Sequence, residues 1–169
     1  MLPLLLLALA SARAPAANQT DPLAILSYYD GTWRTEVQHF DTAYSKAGRD
    51  SRTIENSCWR HEAVYTCSQT VNGQQKALLV FTWQAADKAY DSYAVPLDGG
   101  AAGKGRLLIT GDDWIYPWEQ TLPSGTVHFR VVNHFRGRNH IDYRREFSSD
   151  GEHWTVMESG VEDKVGSRR

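Results

Sequence analysis

Little in this sequence advertises chemistry. No Gly-x-Ser-x-Gly elbow, phosphate loop or His-Glu-x-x-His pair occurs, so the common signatures of hydrolases, nucleotide-binding proteins and zinc proteases are missing. No charge of one sign accumulates. The formal net charge is −2, and the Arg residues after position 129 are interspersed with acids, leaving only Arg168 and Arg169 as a short basic tail. Nucleic acid would need a basic face that this chain does not offer. After the N-terminus no apolar run approaches the roughly 20 residues of a spanning helix, so no integral membrane segment is expected in the mature chain. No standard repeat or low-complexity stretch appears. Cysteine is scarce too: Cys58 and Cys67 are the two in the chain.

The first residues are a different matter. Met1–Ala12 carries an apolar run, Leu4 to Leu9, followed by the small-x-small motif Ala10-Ser11-Ala12. This has the outline of a secretory signal peptide spanning residues 1–17, cut after Ala12 or after Ala17. Residues 18–169 then form one domain of roughly 150 residues, long enough to bury a sizeable core. Export implies a periplasmic or secreted protein in an oxidising compartment, where a Cys58–Cys67 disulfide forms and persists. Two buried thiols are the alternative. A redox role would want Cys-x-x-Cys spacing or an activating neighbour, and the spacing is wrong for it.

The body of the chain has the period of strands. A short helix is expected over Leu23–Tyr29, with Asp21 as N-cap, Pro22 in the first position and Gly31 ending it. From Thr32 the period becomes two: Trp33, Thr35 and Val37 share one face. Arg52–Trp59 and Ala63–Val71 form a hairpin. If the cysteines face each other, Trp59 pairs Thr66, Arg60 pairs Tyr65 and His61 pairs Val64. Asn72-Gly73 is a strong two-residue hairpin turn, because both residues tolerate positive φ. Further strands follow at Lys76–Trp83, Ala89–Val95, Arg106–Thr110, Trp114–Gln120, Thr126–Phe135, His140–Phe147 and His153–Ser159. The segment Pro96–Lys104 is rich in glycine and reads as a mobile loop. About ten strands at regular spacing, with no helix between them, predict an all-β antiparallel meander closed into a barrel. Closure is favoured because it removes exposed edges.

A resemblance emerges from specific residues. Gly31-Thr32-Trp33 after a short helix resembles the Gly-x-Trp opening of lipocalin and calycin barrels. Cys58-Trp59, Tyr65-Thr66-Cys67, the Tyr90–Tyr93 strand, Asp113-Trp114 and the Ser148-x-Asp150-Gly151-x-x-Trp154 turn complete an ordered set. Together they resemble a lipocalin-like, calycin-type family of bacterial exported proteins, for which no established activity can be carried over. The resemblance implies a lipocalin-like β-barrel with a late-strand Arg packed across the first Trp. By parity Arg145 is that residue, sharing an inward face with Ile141, Tyr143 and Phe147. The second and third motifs of true secreted lipocalins are missing, as is the Gly-rich opening of nitrobindin-type haem barrels.

Alternation places Trp33, Thr35, Tyr65, Phe81, Trp83, Phe129, Tyr143 and Arg145 toward the interior as candidate ligand-binding residues. Val37, Leu79, Val131 and Met157 share that side. A small barrel can hold one small ligand, but strands favour aromatics in any case, so a calyx and a filled core both fit. Glu119, Glu146 and Glu158 are read as outward. His134 and His140 flank a turn, yet no third ligand specifies a metal site. No cofactor is expected; haem through His39, which has the parity of Trp33, is the remaining option. The resulting expectation is a non-enzymatic barrel that binds or carries a small apolar or aromatic ligand. The alternatives are an envelope interaction module with a filled core, or an enzyme using a polar cluster inside the barrel.

Overall fold

The computed structural model describes residues 21–123 and 125–166. The candidate signal peptide, with Ala12 and Ala17, and the tail at Arg168 and Arg169 lie outside the described residues. A 3₁₀ helix, Ala24–Tyr29, precedes ten strands: β1 (Gly31–His39), β2 (Gly48–His61), β3 (Val64–Val71), β4 (Gln74–Gln84), β5 (Ala89–Pro96), β6 (Gly103–Thr110), β7 (Asp113–Leu122), β8 (Gly125–Phe135), β9 (His140–Ser148) and β10 (Thr155–Gly166). Each strand pairs antiparallel with its sequence neighbours, and β10 returns to pair with β1, so the sheet is a closed barrel. The all-β meander expected from the sequence is the observed fold.

Turn chemistry sets much of the register. Asn72 and Gly73 both adopt positive φ, 49° and 77°, and join β3 to β4 as a tight hairpin. The β2–β3 hairpin turns on Glu62, also at positive φ. Cys58 sits directly opposite Cys67, with Trp59 on Thr66, Arg60 on Tyr65 and His61 on Val64. The two cysteines form a disulfide across a Cα–Cα distance of 4.0 Å. Closing so short a loop is worth roughly 2–3 kcal/mol on a loop-entropy basis.

The helix plugs one end of the barrel. It is a single short 3₁₀ turn set rather than the helix capped at Asp21 with Pro22 in first place. Its first residue is Ala24, and the Asp21 carboxylate instead accepts from the Leu23 amide at 3.1 Å. Leu23 and Leu26 are buried against Trp33, Trp114, Phe135 and Ile141. Trp114 and Phe135 lie 4.5 Å apart between ring centroids, and Tyr29 meets Trp114 edge-on at 4.8 Å. The Trp33 indole nitrogen donates to the Tyr29 carbonyl at 2.9 Å, which ties the Gly-x-Trp strand to the plug. Large side chains of this kind contribute roughly 1.5–3 kcal/mol each on burial. A smaller apolar cluster of Val127, Phe129 and Met157 closes the opposite wall, with Tyr44 folded over Phe129 and Phe147.

Other expectations fail along the strands. The last strand is not His153–Ser159 but runs on to Gly166, because β1 needs a partner along its whole length. Within it the register shifts between Val156 and Glu158, so Met157 is the extra residue of a bulge. That shift reverses the parity beyond it and turns Glu158 inward, not outward. The glycine-rich segment is not all loop either: β6 starts at Gly103, and Gly103 and Gly105 are paired strand residues.

The Arg145–Trp33 pair does not form. The Arg145 guanidinium lies 5.5 Å from the Trp118 ring centre, and the cation over Trp33, at 4.7 Å, is Lys164 Nζ. The reason is register: Trp33 sits opposite Lys164 on β10, whereas Arg145 sits opposite Glu158 near the other end of the barrel. Lys164 also donates to the Tyr28 carbonyl at 3.0 Å.

Closure rests on one residue without a side chain. A Cβ on Gly160 would come within 2.0 Å of the Glu36 carbonyl oxygen and 2.9 Å of the Val37 Cα. Gly160→Ala is therefore expected to destabilise the protein by about 2 kcal/mol or more in urea unfolding. Gly103→Ala, whose Cβ meets nothing within 4 Å, should stay within about 0.5 kcal/mol of the parent. Equal stabilities for the two variants would contradict the β1–β10 approach.

Candidate functional site: a lumenal cavity with an unpartnered carboxyl

The barrel is hollow on one side, for a reason visible in the strand register. On β5 and β6 the inward pairs beyond Tyr90 and Leu107 are Ser92 with Gly105 and Ala94 with Gly103. These residues supply almost no side-chain volume, so the facing wall has nothing to pack against. The result is a cavity of about 420 Å³, a size that suits a small organic ligand. Tyr29 and Trp33 line it on the plug side, Phe81 and Leu79 on β4, and Tyr116 and Asn133 on β7 and β8. It reaches solvent past Ala94 and Gly103, which are exposed. A second concavity of about 510 Å³ over Glu36, Gln38, Arg49 and Ser159 is a surface groove at the β1–β2–β10 seam.

Polar groups converge inside the cavity. The Tyr29 and Tyr116 hydroxyls are 2.7 Å apart, and Asn133 Nδ2 donates to the Tyr29 hydroxyl at 3.3 Å. Asn56 Nδ2 donates to the Tyr29 carbonyl at 3.3 Å and its Oδ1 accepts from Gln69 at 3.3 Å. Burial pushes both phenols above the ordinary tyrosine range, so they stay protonated as hydrogen-bond donors. Two phenol protons serve one mutual bond, which leaves one free for another acceptor. Asn133 Oδ1 is buried without a hydrogen-bond partner among the described residues.

Glu162 completes the wall. It pairs with Thr35 of β1 and Ile141 of β9, and its carboxyl lines the cavity. Among the described residues no hydrogen bond or ion pair reaches it. Burial raises its pKa from the ordinary 4.5 to about 7, against a weaker opposing pull from Arg52. The guanidinium of Arg52 is itself taken by Asp50. Ionised, this carboxylate has lost water and gained little.

A second inward cluster has the opposite character. Glu158 accepts from the Tyr143 hydroxyl at 2.8 Å and from Arg145 at 3.2 Å, and His39 Nδ1 lies 3.3 Å away. Its partners are within the fold, so it reads as a structural brace. Burial, with the neighbouring Glu158 acceptor, holds the Tyr143 hydroxyl protonated. His39 is thereby engaged with a carboxylate. Four of the five remaining histidines also face acids: His128 on Glu119, His134 on Asp113, His140 on Asp163 and Asp142, and His153 on Asp150. Among the described residues no group of three or more His, Cys, Asp or Glu is arranged to hold a metal.

The residues singled out from the sequence do not converge on one place. Trp33 and Phe81 line the cavity. Thr35 is buried beside Glu162, and Tyr65 lies in the core opposite Phe81. Trp83 packs on Tyr90 at 4.8 Å near the plug. Phe129 stacks on Trp118 at 5.3 Å, and Tyr143 and Arg145 belong to the Glu158 brace. Tyr29, Tyr116, Asn133 and Glu162 were not singled out. Two of them carried a signal: Trp114, Tyr116 and Trp118 alternate with period two, and Asn133 interrupts the apolar face of Phe129, Val131 and Phe135.

The chain is similar to a solved structure, the crystal structure of Rv2717c from M. tuberculosis. The identity is 11%, the TM-score 0.47, and the match covers 88% of this chain and 98% of that one. No family model matches the sequence. No curated protein matches it. Fold and site together define a closed ten-strand antiparallel barrel with one aromatic-walled, carboxyl-bearing internal cavity.

Ionisation of Glu162 makes a signed prediction. Its folded pKa of about 7 exceeds the ordinary 4.5, so the folded state binds the extra proton between those values. Stability must fall as pH rises through that window, by up to about 3 kcal/mol from this group. Glu162→Gln should therefore be more stable than the parent at pH 8 by about 1–3 kcal/mol, with the gap vanishing by pH 4. Urea titrations of both proteins across this range measure it; a gap independent of pH would contradict the burial of the carboxylate.

Proposed function

We propose that this protein is an exported, non-enzymatic barrel that binds or carries a small apolar or aromatic ligand in its lumen. The observation that supports this reading is the unfilled cavity itself. Ser92, Ala94, Gly103 and Gly105 keep about 420 Å³ open beneath the rings of Trp33, Tyr29 and Phe81. A core evolved only for stability gains from being filled, since cavities cost stability roughly in proportion to their size. This weighs against an interaction module with a packed interior. Binding is favoured over catalysis because Glu162 is the one carboxyl among the cavity-lining residues, with no histidine or cysteine beside it. A periplasmic or secreted location fits the Cys58–Cys67 bridge and the signal-like segment 1–17. No helix among the described residues is long and apolar enough to cross a membrane.

Native mass spectrometry of protein purified from its own host's envelope tests the reading. The parent should carry a small molecule that leaves on collisional activation. Gly103→Phe, which places a ring at the cavity mouth, should arrive empty while melting within a few degrees of the parent. Repeated recovery of an empty parent, with no uptake from a host extract, would sink the carrier reading.

A further inference from the structure

In the cavity the Glu162 carboxyl is met by no side-chain cation among the described residues, and the cations around it are already committed. Arg52, facing Glu162 from β2, is bound by Asp50. Lys164, two residues along on β10, donates to the Tyr28 carbonyl and sits over Trp33. Lys104, at the mouth, lies 3.6 Å from Asp91 and 5.7 Å from the Tyr93 ring centre. The other titratable groups whose charge interacts with Glu162 are phenols that donate: Tyr29 from the helix, Tyr116 from β7 and Tyr143 from β9. From β1 and β9 the cross-strand neighbours are Thr35 and Ile141, which bring no charge. Around this carboxyl the walls are flat and aromatic. Tyr29 and Phe81 are nearly parallel, 19° between planes and 6.3 Å between centroids. Aromatic faces attract cations, and more so where water is excluded.

We infer that the lumen selects a planar, aromatic ligand carrying a positively charged nitrogen, whose N–H donates to Glu162 while its ring lies against Trp33, Tyr29 and Phe81. This inference rests on the lumenal-binding reading above and names the ligand class for the same cavity. A cationic N–H supplies both the proton donor and the charge that the fold withholds from Glu162. A charge-assisted bond of this kind is about twice as strong as a neutral one. An anionic ligand would meet an uncompensated carboxylate instead. The raised pKa of Glu162 adds a direction: cation binding strengthens as pH rises through about 7 and weakens as the carboxyl protonates below it.

Three probes of one shape test the charge preference: 2-naphthylmethylammonium, 2-naphthylmethanol and 2-naphthoate, titrated by calorimetry and by tryptophan fluorescence. The ammonium probe should bind the parent at least about tenfold more tightly than the alcohol at pH 8, with the carboxylate weakest. On the parent itself, that advantage should shrink toward unity by pH 5, where the ammonium is still charged. In Glu162→Gln it should be lost. The parent's own pH series decides the matter if the variant does not fold. Equal binding of the three, a preference for the carboxylate, or an ammonium advantage kept in Glu162→Gln would overturn the inference, while the carrier reading stands if Gly103→Phe blocks the probes. Binding of none of the three would overturn it as well, and with an empty parent from the envelope would remove the carrier reading too.

Discussion

The pairing of β10 with β1 is the constraint on which the rest depends. Without it the ten strands are an open sheet with two bare edges, and open edges invite association with other chains. The pairing runs from Gly166 opposite Thr32 to Glu158 opposite His39. It holds only if the backbones approach closely at Gly160, where a side chain would collide with the Glu36 carbonyl. The helical plug follows from the same join. Gly31 opens β1 at a positive φ of 120°, and the chain before it folds back so that Tyr29 accepts the Trp33 indole N–H.

Closure on this strand fixes the chemistry of the interior. Beyond the bulge at Met157, β10 presents Glu158, Gly160, Glu162 and Lys164 inward, and nothing apolar among them. Burying three ionisable groups is costly unless each finds a partner. Two do: Glu158 in the Tyr143, Arg145 and His39 brace, and Lys164 on the Tyr28 carbonyl and the Trp33 face. Glu162 does not among the described residues, and it is the one that faces open volume. An ionised, desolvated carboxyl lowers the stability of the fold that holds it.

Most of the architecture was legible because turns and alternation agree. Asn72-Gly73, the facing cysteines and the two-residue period from Trp33 to Val37 each imply one local pairing, and the pairings compose into a meander. The site was less legible for two physical reasons. A strand whose inward face is polar looks like a solvated segment, so residues 160–166 carried no strand signal although Val161 and Val165 alternate on the outside. The bulge then shifted parity by one, which moved Glu158 to the interior, and register set Arg145 level with His39 rather than Trp33. The cavity was hidden in the glycines. Gly103 and Gly105 read as loop composition, whereas their role is to withhold side chains from the lumen. Of the aromatics, Trp33 and Phe81 were placed in the interior by alternation, while Tyr29 reached the lumen through the helix and followed no strand rule.

The account stands on Glu162 being a half-buried carboxyl, unpartnered among the described residues, in a cavity lined by aromatic rings. Carbon-13 NMR of the Glu162 side-chain carboxyl, followed across pH in the intact protein, reports its ionisation directly. A midpoint near 7 is the predicted result, and a midpoint near the unperturbed 4.5 would contradict it.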